Sequence, residues 1–245
     1  MSNVNLMLHC GAREVQLSEL QAQPIPFPTA THKPMHHDKF QGMVKGFLHD
    51  HDYNIQQECH ALTRNGSRYF GLLEIEHNTN DYGVVVGLRN SHDKSTSGGI
   101  VIGNQVFVCD NLCFSGEVKM QRRHTINMER DLPELIEGLV LGIDKQVSIQ
   151  DERIISYKDS NITHEQAEHT LCNMYRERKL GSSKLGKAIK EWDNPTHEEF
   201  AYKENVWRLY NAVTEVSKGN IFGLPRLSKS LHDHCDELSG YAVAA

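Results

Sequence analysis

An α+β fold with segregated elements is what the amino-acid sequence predicts: an antiparallel β-sheet with an early packing helix in the N-terminal half, then a helical C-terminal half. Three observations carry that reading. One apolar stripe at helical spacing, Phe40, Met43, Val44, Phe47 and Leu48, precedes a series of short β-rich runs between residues 53 and 121, and helical periodicity dominates from residue 128 onward. At 245 residues, 38% hydrophobic and 24% charged, the chain can bury a core and lies far from the composition of disordered segments. A sheet region at 1–128 and a helical region at 129–245, packed together as one domain, form the expected organisation.

The elements follow in order. Pro24, Pro26, Pro28 and Pro34 fix φ and remove donors, so residues 23–34 form an extended lead-in. The stripe from Phe40 to Leu48 makes the first helix, ending near His49 to Asp52. Tyr53 to Thr63 and Ser67 to His77 are strands joined by Asn65-Gly66, whose tolerance of positive φ marks a hairpin. Further strands are expected at Tyr82 to Leu88, Gly99 to Ile102, Gln105 to Cys109 and Glu117 to Gln121. Asp131, Pro133 and Glu134 read as an N-cap, an early-turn proline and a capping-box carboxylate, and Leu132, Leu135, Ile136, Leu139, Val140, Ile143 and Val147 continue one stripe. Thr163 caps a helix to Arg178, Ser182 or Ser183 opens another to Trp192, and after Pro195 a fourth runs from Glu199 to Lys218. Gly223-Leu224-Pro225 interrupts the pattern before a last short helix.

With 26 Lys+Arg against 32 Asp+Glu the net charge is −6, so no global positive field holds nucleic acid and any such role needs a local patch. Six dispersed cysteines without a CxxC pair read as reduced thiols. The first residues lack a basic segment followed by an apolar core, and no apolar run is long enough to cross a bilayer. A cytoplasmic protein with no membrane partner is expected.

Fifteen histidines call for a metal-site search. His32, His36, His37 and Asp38 lie at one end of the first helix and His49, Asp50, His51 and Asp52 at the other. At a helical rise of 1.5 Å these groups are about 20 Å apart and cannot share an ion, so both read as solvated helix ends. His164 to His169 has one residue more than the zincin motif, and imidazoles five apart diverge by about 140° instead of sharing a face. Gly181 to Lys187 fits a Walker loop until Ala188 stands where a Mg²⁺-binding hydroxyl is needed, and a charged helix end precedes it in place of a strand. The same stretch is locally basic. Arg176, Arg178, Lys179, Lys184, Lys187 and Lys190, with Arg122 and Arg123 earlier in the chain, are candidate phosphate contacts.

Polar residues at strand ends are the other candidate. Adjacent antiparallel strands would bring His92, Asp93, Asp110, Asn111 and His124 to one end of the sheet. An imidazole oriented by a carboxylate serves acid/base catalysis, and His92, Asp93, Asp110 and His124 would suffice for a divalent metal. Asp and Asn at strand ends are equally ordinary turn formers. Ser91-His92-Asp93 is not a triad by adjacency, since successive strand side chains point to opposite faces.

Arg89-Asn90-Ser91-His92-Asp93-Lys94-Ser95, Val106 to Leu112, Phe114-Ser115-Gly116-Glu117, Arg123-His124-Thr125 and Trp207 to Glu215 together resemble an uncharacterised family of phage- and plasmid-borne proteins, the domain of unknown function numbered 932. The resemblance spans most of the chain, from the lead-in to the helix of Trp207. It implies a mobile-element origin and action in the cytoplasm of a bacterial host, and it brings no reaction and no catalytic residues. Trp207 and Asn211, four apart on one helix, read as a buried anchor and its hydrogen-bond partner.

Three functions are then open. The first is a nucleic-acid-binding protein of phage DNA metabolism or host takeover, oligomeric, taking single- or double-stranded DNA on a local basic surface. The second is a metal-dependent hydrolase of nucleotides or nucleic acid centred on His92, Asp93, Asp110 and His124. The third is a scaffold or inhibitor of a host protein. The first is favoured, because nothing in the chain has the tight ligand spacing of a catalytic metal motif.

Overall fold

The computed structural model describes residues 12–77, 82–106, 112–114, 120–218 and 224–242. They belong to two compact units, Met1–Gln105 with Val118–Asp144, and Val106–Glu117 with Lys145–Ala245. The α+β class holds.

In the first unit β1 (Ala12–Glu14), β2 (Ile55–Thr63), β3 (Arg68–Ile75), β4 (Tyr82–Ser91) and β5 (Gly98–Val106) lie side by side in chain order. β6 (Leu112–Phe114) falls in the second unit, and β7 (Met120–Arg122) pairs antiparallel with the start of β5. The β2–β3 hairpin turns at Gly66, whose φ of 66° is the left-handed geometry that the Asn-Gly pair supplies cheaply. Arg68 then stands opposite Ser91 and Tyr69 opposite Asn90 across β3 and β4. Tyr82, Val84, Val85, Val86 and Leu88 are all buried, so β4 is covered on both faces, as its unbroken apolar run requires. α2 (His37–Asp50) buries Phe40, Val44 and Leu48 and packs against α3 (Met128–Val140).

Several boundaries differ from expectation for identifiable reasons. A second early helix, α1 (Leu17–Gln21), precedes the lead-in; five residues with only Leu20 buried give no periodic signal. β5 runs on through Gly103-Asn104 where a break was expected, and the remainder of the strands expected at Gln105 to Cys109 and Glu117 to Gln121, residues 107–109 and 117–119, lies outside the described residues. α3 begins at Met128, not after Asp131, because Met128, Leu132 and Ile136 form one buried ridge at i, i+4 spacing. Asp131 sits inside the first turn and pairs with Arg122 and Arg130. Leu141-Gly142 then breaks the expected stripe, and α4 (Ile143–Asp159) is a separate helix.

The second unit is helical. Thr163 caps α5 (His164–Arg176) through a reciprocal box, its hydroxyl accepting from Gln166 N at 3.2 Å and Gln166 Oε1 accepting from Thr163 N at 2.8 Å. α6 (Ser182–Asp193) packs against α5 and against α7 (Val206–Glu215). α7 starts later than Glu199 because the Asn205 side chain caps it, and residues Glu198–Phe200 make only a 3-10 turn. Nine of its ten residues are buried, the pattern of a helix enclosed on all sides. Asn211 Nδ2 donates to Trp207 O at 2.8 Å, the structural pairing expected of these two. α8 (Leu224–Ser239) has 16 residues and is not short, since Pro225 falls in its first turn where no intrahelical donor is needed. Cys59, Cys172 and Cys235 carry no disulfide, and among the described residues no helix is long and apolar enough to cross a membrane.

One buried cation fixes α6. Arg208 Nε donates to Trp192 O at 2.8 Å and its Nη2 to Trp192 O and to Asp193 O, while the guanidinium lies 4.9 Å from the Trp192 ring. The last carbonyls of α6, orphaned by helix geometry and carrying its negative dipole end, thereby gain a cationic donor. Arg208→Met keeps the bulk and leaves those carbonyls unpaired, so we expect a loss of about 2–3 kcal/mol in unfolding free energy by urea titration.

Candidate functional site

Asn90, the penultimate residue of β4, gathers the chain segments around it. Its Nδ2 donates to Met35 O at 2.8 Å and to His37 Nδ1 at 2.9 Å, and its Oδ1 accepts from His124 Nε2 at 2.5 Å. A reversed amide would set oxygen against the Met35 carbonyl and the His37 lone pair, so the network itself dictates the orientation. His92 Nε2 donates to the same Met35 O at 3.0 Å, His37 Nε2 to Gly66 O at 3.1 Å and His36 Nε2 to Gln23 O at 2.8 Å. The rings crowd together: His37 stacks on His92 at 3.8 Å, and His32 lies 5.5 Å from His124. His32, His36 and His37 are therefore not a solvated helix end. His37 follows the α2 stripe, three residues before Phe40, and is fully buried.

Burial disfavours the charged form of His37, His92 and His124. Burial, then the charge of His92, pushes His37 down to about 3. Burial, then His32 and His92, pushes His124 down to about 4, and His92 is lowered chiefly by burial. A base for neutral pH needs a value near 7, so burial moves these groups away from acid/base service. Each Nε2–H that meets a carbonyl or amide oxygen is committed to holding the lead-in and the β2–β3 turn in place. His32 Nε2 is buried without a hydrogen-bond partner among the described residues.

Of the sequence-predicted constellation, His92 and His124 come together through Asn90 and Met35, but Asp93 does not join them. Its Oδ2 accepts from Arg68 Nε at 2.8 Å and Ser67 Oγ at 3.2 Å, and its Oδ1 accepts from Ser95 N at 2.9 Å. Burial raises the Asp93 carboxyl, yet the bonds from Ser95 and Arg68 prevail and hold it well below the usual carboxylate range. Asp110 and Asn111 lie outside the described residues. Among the described residues, no three His, Cys, Asp or Glu side chains are placed to hold a metal ion. Arg122 is engaged by Asp131, and Arg123 is exposed.

The other basic candidates meet at the connection between α5 and α6. Arg176, Arg178, Lys179, Lys187 and Lys190 are exposed and Lys184 is half-buried. None of the six is in an ion pair among the described residues. Burial first, and then the Lys187 ammonium one turn away, lowers the Lys184 amine. The connection is a Schellman turn, with Lys179 N donating to Met174 O at 2.9 Å and Arg178 N to Tyr175 O at 2.9 Å. Arg178 occupies its left-handed position at φ 58°, where glycine is the residue usually found. Tyr175 directly precedes Arg176 in the chain and is 45% exposed. Sequence reasoning passed over Tyr175, although its place just after buried Met174 and before Arg176 was readable from the helical period.

A family model described as Domain of unknown function (DUF932) matches residues 32–221, more than half of the chain. No curated protein and no solved structure matches it.

Asn90→Ala strips His124 Nε2 of its acceptor and His37 Nδ1 of its donor, two buried groups at about 1–3 kcal/mol each. We expect about 3 kcal/mol of lost stability by denaturant titration, with the same curve probing the histidines through pH. Because burial depresses their native values, stability is full above the unfolded imidazole value of about 6.5 and is lost as pH falls toward about 4 and 3, those of His124 and His37. The unfolded chain takes up protons that the native chain refuses, which costs about 1.4 kcal/mol per pH unit for each group. His232 in the second unit, lowered to about 3 by burial, acts in the same direction. A profile flat between about pH 7.5 and about pH 5 contradicts this account.

Proposed function

We propose that this protein, which belongs to the DUF932 family, binds nucleic acid through the basic turn between α5 and α6. The mobile-element setting that the family resemblance implies gives such binding a place in phage or plasmid DNA metabolism. What carries the reading is Arg178. An arginine in left-handed backbone costs roughly 1 kcal/mol or more against glycine. Strain held at a surface turn, on a side chain with no counter-ion among the described residues, points from the outlier toward a use for the charge. Lys184 supports it, an ammonium disfavoured by burial and by the nearby Lys187 charge, a cost that a phosphate placed between the two would relieve. The hydrolase reading has less support, since Asp93 is turned to Arg68 and the imidazoles of His92 and His124 are spent on Met35 and Asn90.

Two measurements test the proposal. If about four phosphates are neutralised, affinity for a single-stranded oligonucleotide falls about 50-fold between about 50 and about 200 mM salt, read by fluorescence anisotropy. Replacing Lys184, Lys187 and Lys190 together by Gln flattens that dependence. Arg178→Gly separates use from packing: it relieves the left-handed strain and raises the thermal midpoint while weakening binding. A variant both less stable and equally tight in binding, or absence of binding by the wild type at about 50 mM salt, would refute the assignment.

A further inference from the structure

We infer that the ligand of this surface is a single-stranded nucleic acid, one base of which stacks on the Tyr175 ring. The inference rests on the basic-surface reading above and adds what kind of strand the surface accepts.

Tyr175 is in the last turn of α5, off the face formed by Ala167, Thr170, Leu171 and Met174 that the unit buries. Its carbonyl accepts from Arg178 N, so the residue is pinned within the Schellman turn. The residue is 45% exposed, and its hydroxyl makes no hydrogen bond among the described residues. Packing therefore explains only part of the side chain. Arg176, Arg178 and Lys179 follow it directly, so cations and an aromatic face are presented by one short, fixed piece of backbone. The nearest carboxylate in sequence, Glu177, is met by His234 Nε2 at 3.2 Å.

A duplex offers such a surface phosphates and groove edges while its base faces remain stacked on one another. Reaching one costs a few kcal/mol of unstacking. A single strand offers phosphates and free base faces at once, and stacking on an aromatic side chain is tolerant of sequence because every base has a π-face. Lys184 and Lys187, one turn apart at the start of α6, suit the backbone that continues from a stacked base.

The test compares one mixed-sequence 20-nucleotide strand as single-stranded DNA, as its duplex and as single-stranded RNA, by anisotropy at two salt concentrations. The wild type is expected to bind single strands at least tenfold tighter than duplex. Tyr175→Ala should lose about tenfold on single strands, little on duplex, and keep the salt slope, because a base contact and not a phosphate contact has gone. Tyr175→Phe should stay within about twofold of wild type, and it serves as the folded control if the alanine variant is unstable. The tighter of the DNA and RNA arms identifies the sugar. Equal affinity for duplex and single strand, or a Tyr175→Ala protein that binds single strands like wild type, overturns the inference and leaves the basic surface standing. Failure of all three probes at low salt overturns the reading beneath it.

Discussion

A segment with proline at alternate positions cannot join a sheet through its backbone, and that constraint shapes the first unit. Pro24, Pro26 and Pro28 bring no N–H groups, so the lead-in must be tied down by side chains acting on its carbonyls. His36 takes Gln23 O, while Asn90 and His92 both take Met35 O. Lys33 N adds a backbone bond to His124 O. His92 serves as a donor in its neutral form, since burial disfavours its charge, and the Asn90 amide carries none. The histidine excess that suggests metal chemistry in the sequence thus finds its first use in anchoring a segment that has few donors of its own.

The second unit solves a different problem with the same residue type it displays outside. Arg208 is buried and spends its guanidinium on the carbonyls that end α6, whereas Arg176 and Arg178 end α5 in solvent. Both sit at helix C-termini, where positive charge is favoured by the dipole. Only the exposed pair keeps donors for something beyond the helix. Rigidity at one end of α6 and cationic exposure at the other make it a stiff support for Lys184, Lys187 and Lys190.

Much of this was legible in the sequence where a signal was local. The change of period near residue 128, the Asn65-Gly66 turn and the Thr163 cap each depend on neighbours a few residues apart, and each appears where expected. The sequence grouped His92 with Asp93 at one end of the sheet, but β4 ends at Ser91, and beyond it one side chain reaches Met35 and the other Arg68. What escaped were choices made by tertiary contact. Asp131 is a sound N-cap by type, but burial of Met128 outweighs it and starts the helix a turn earlier. His37 looks like a polar helix end unless the apolar stripe is extended backward through it, and nothing nearby in sequence announces Asn90 or His124 as its company. The Arg178 strain belongs to the backbone and has no sequence mark beyond the absence of a glycine.

A net charge of −6 sets the terms on which any of this can meet a polyanion. Screening confines surface electrostatics to roughly 8–10 Å at ordinary ionic strength, so six cations around one turn can be attractive at contact while the molecule as a whole is not. A stiff duplex laid on such a patch extends its phosphates past the patch, beyond the reach of those cations. A flexible strand can bend away after a few nucleotides and meets the cations alone. The smallness of the basic surface, which counts against binding by long-range attraction, thus becomes a reason for selecting the form of nucleic acid that a small surface can hold.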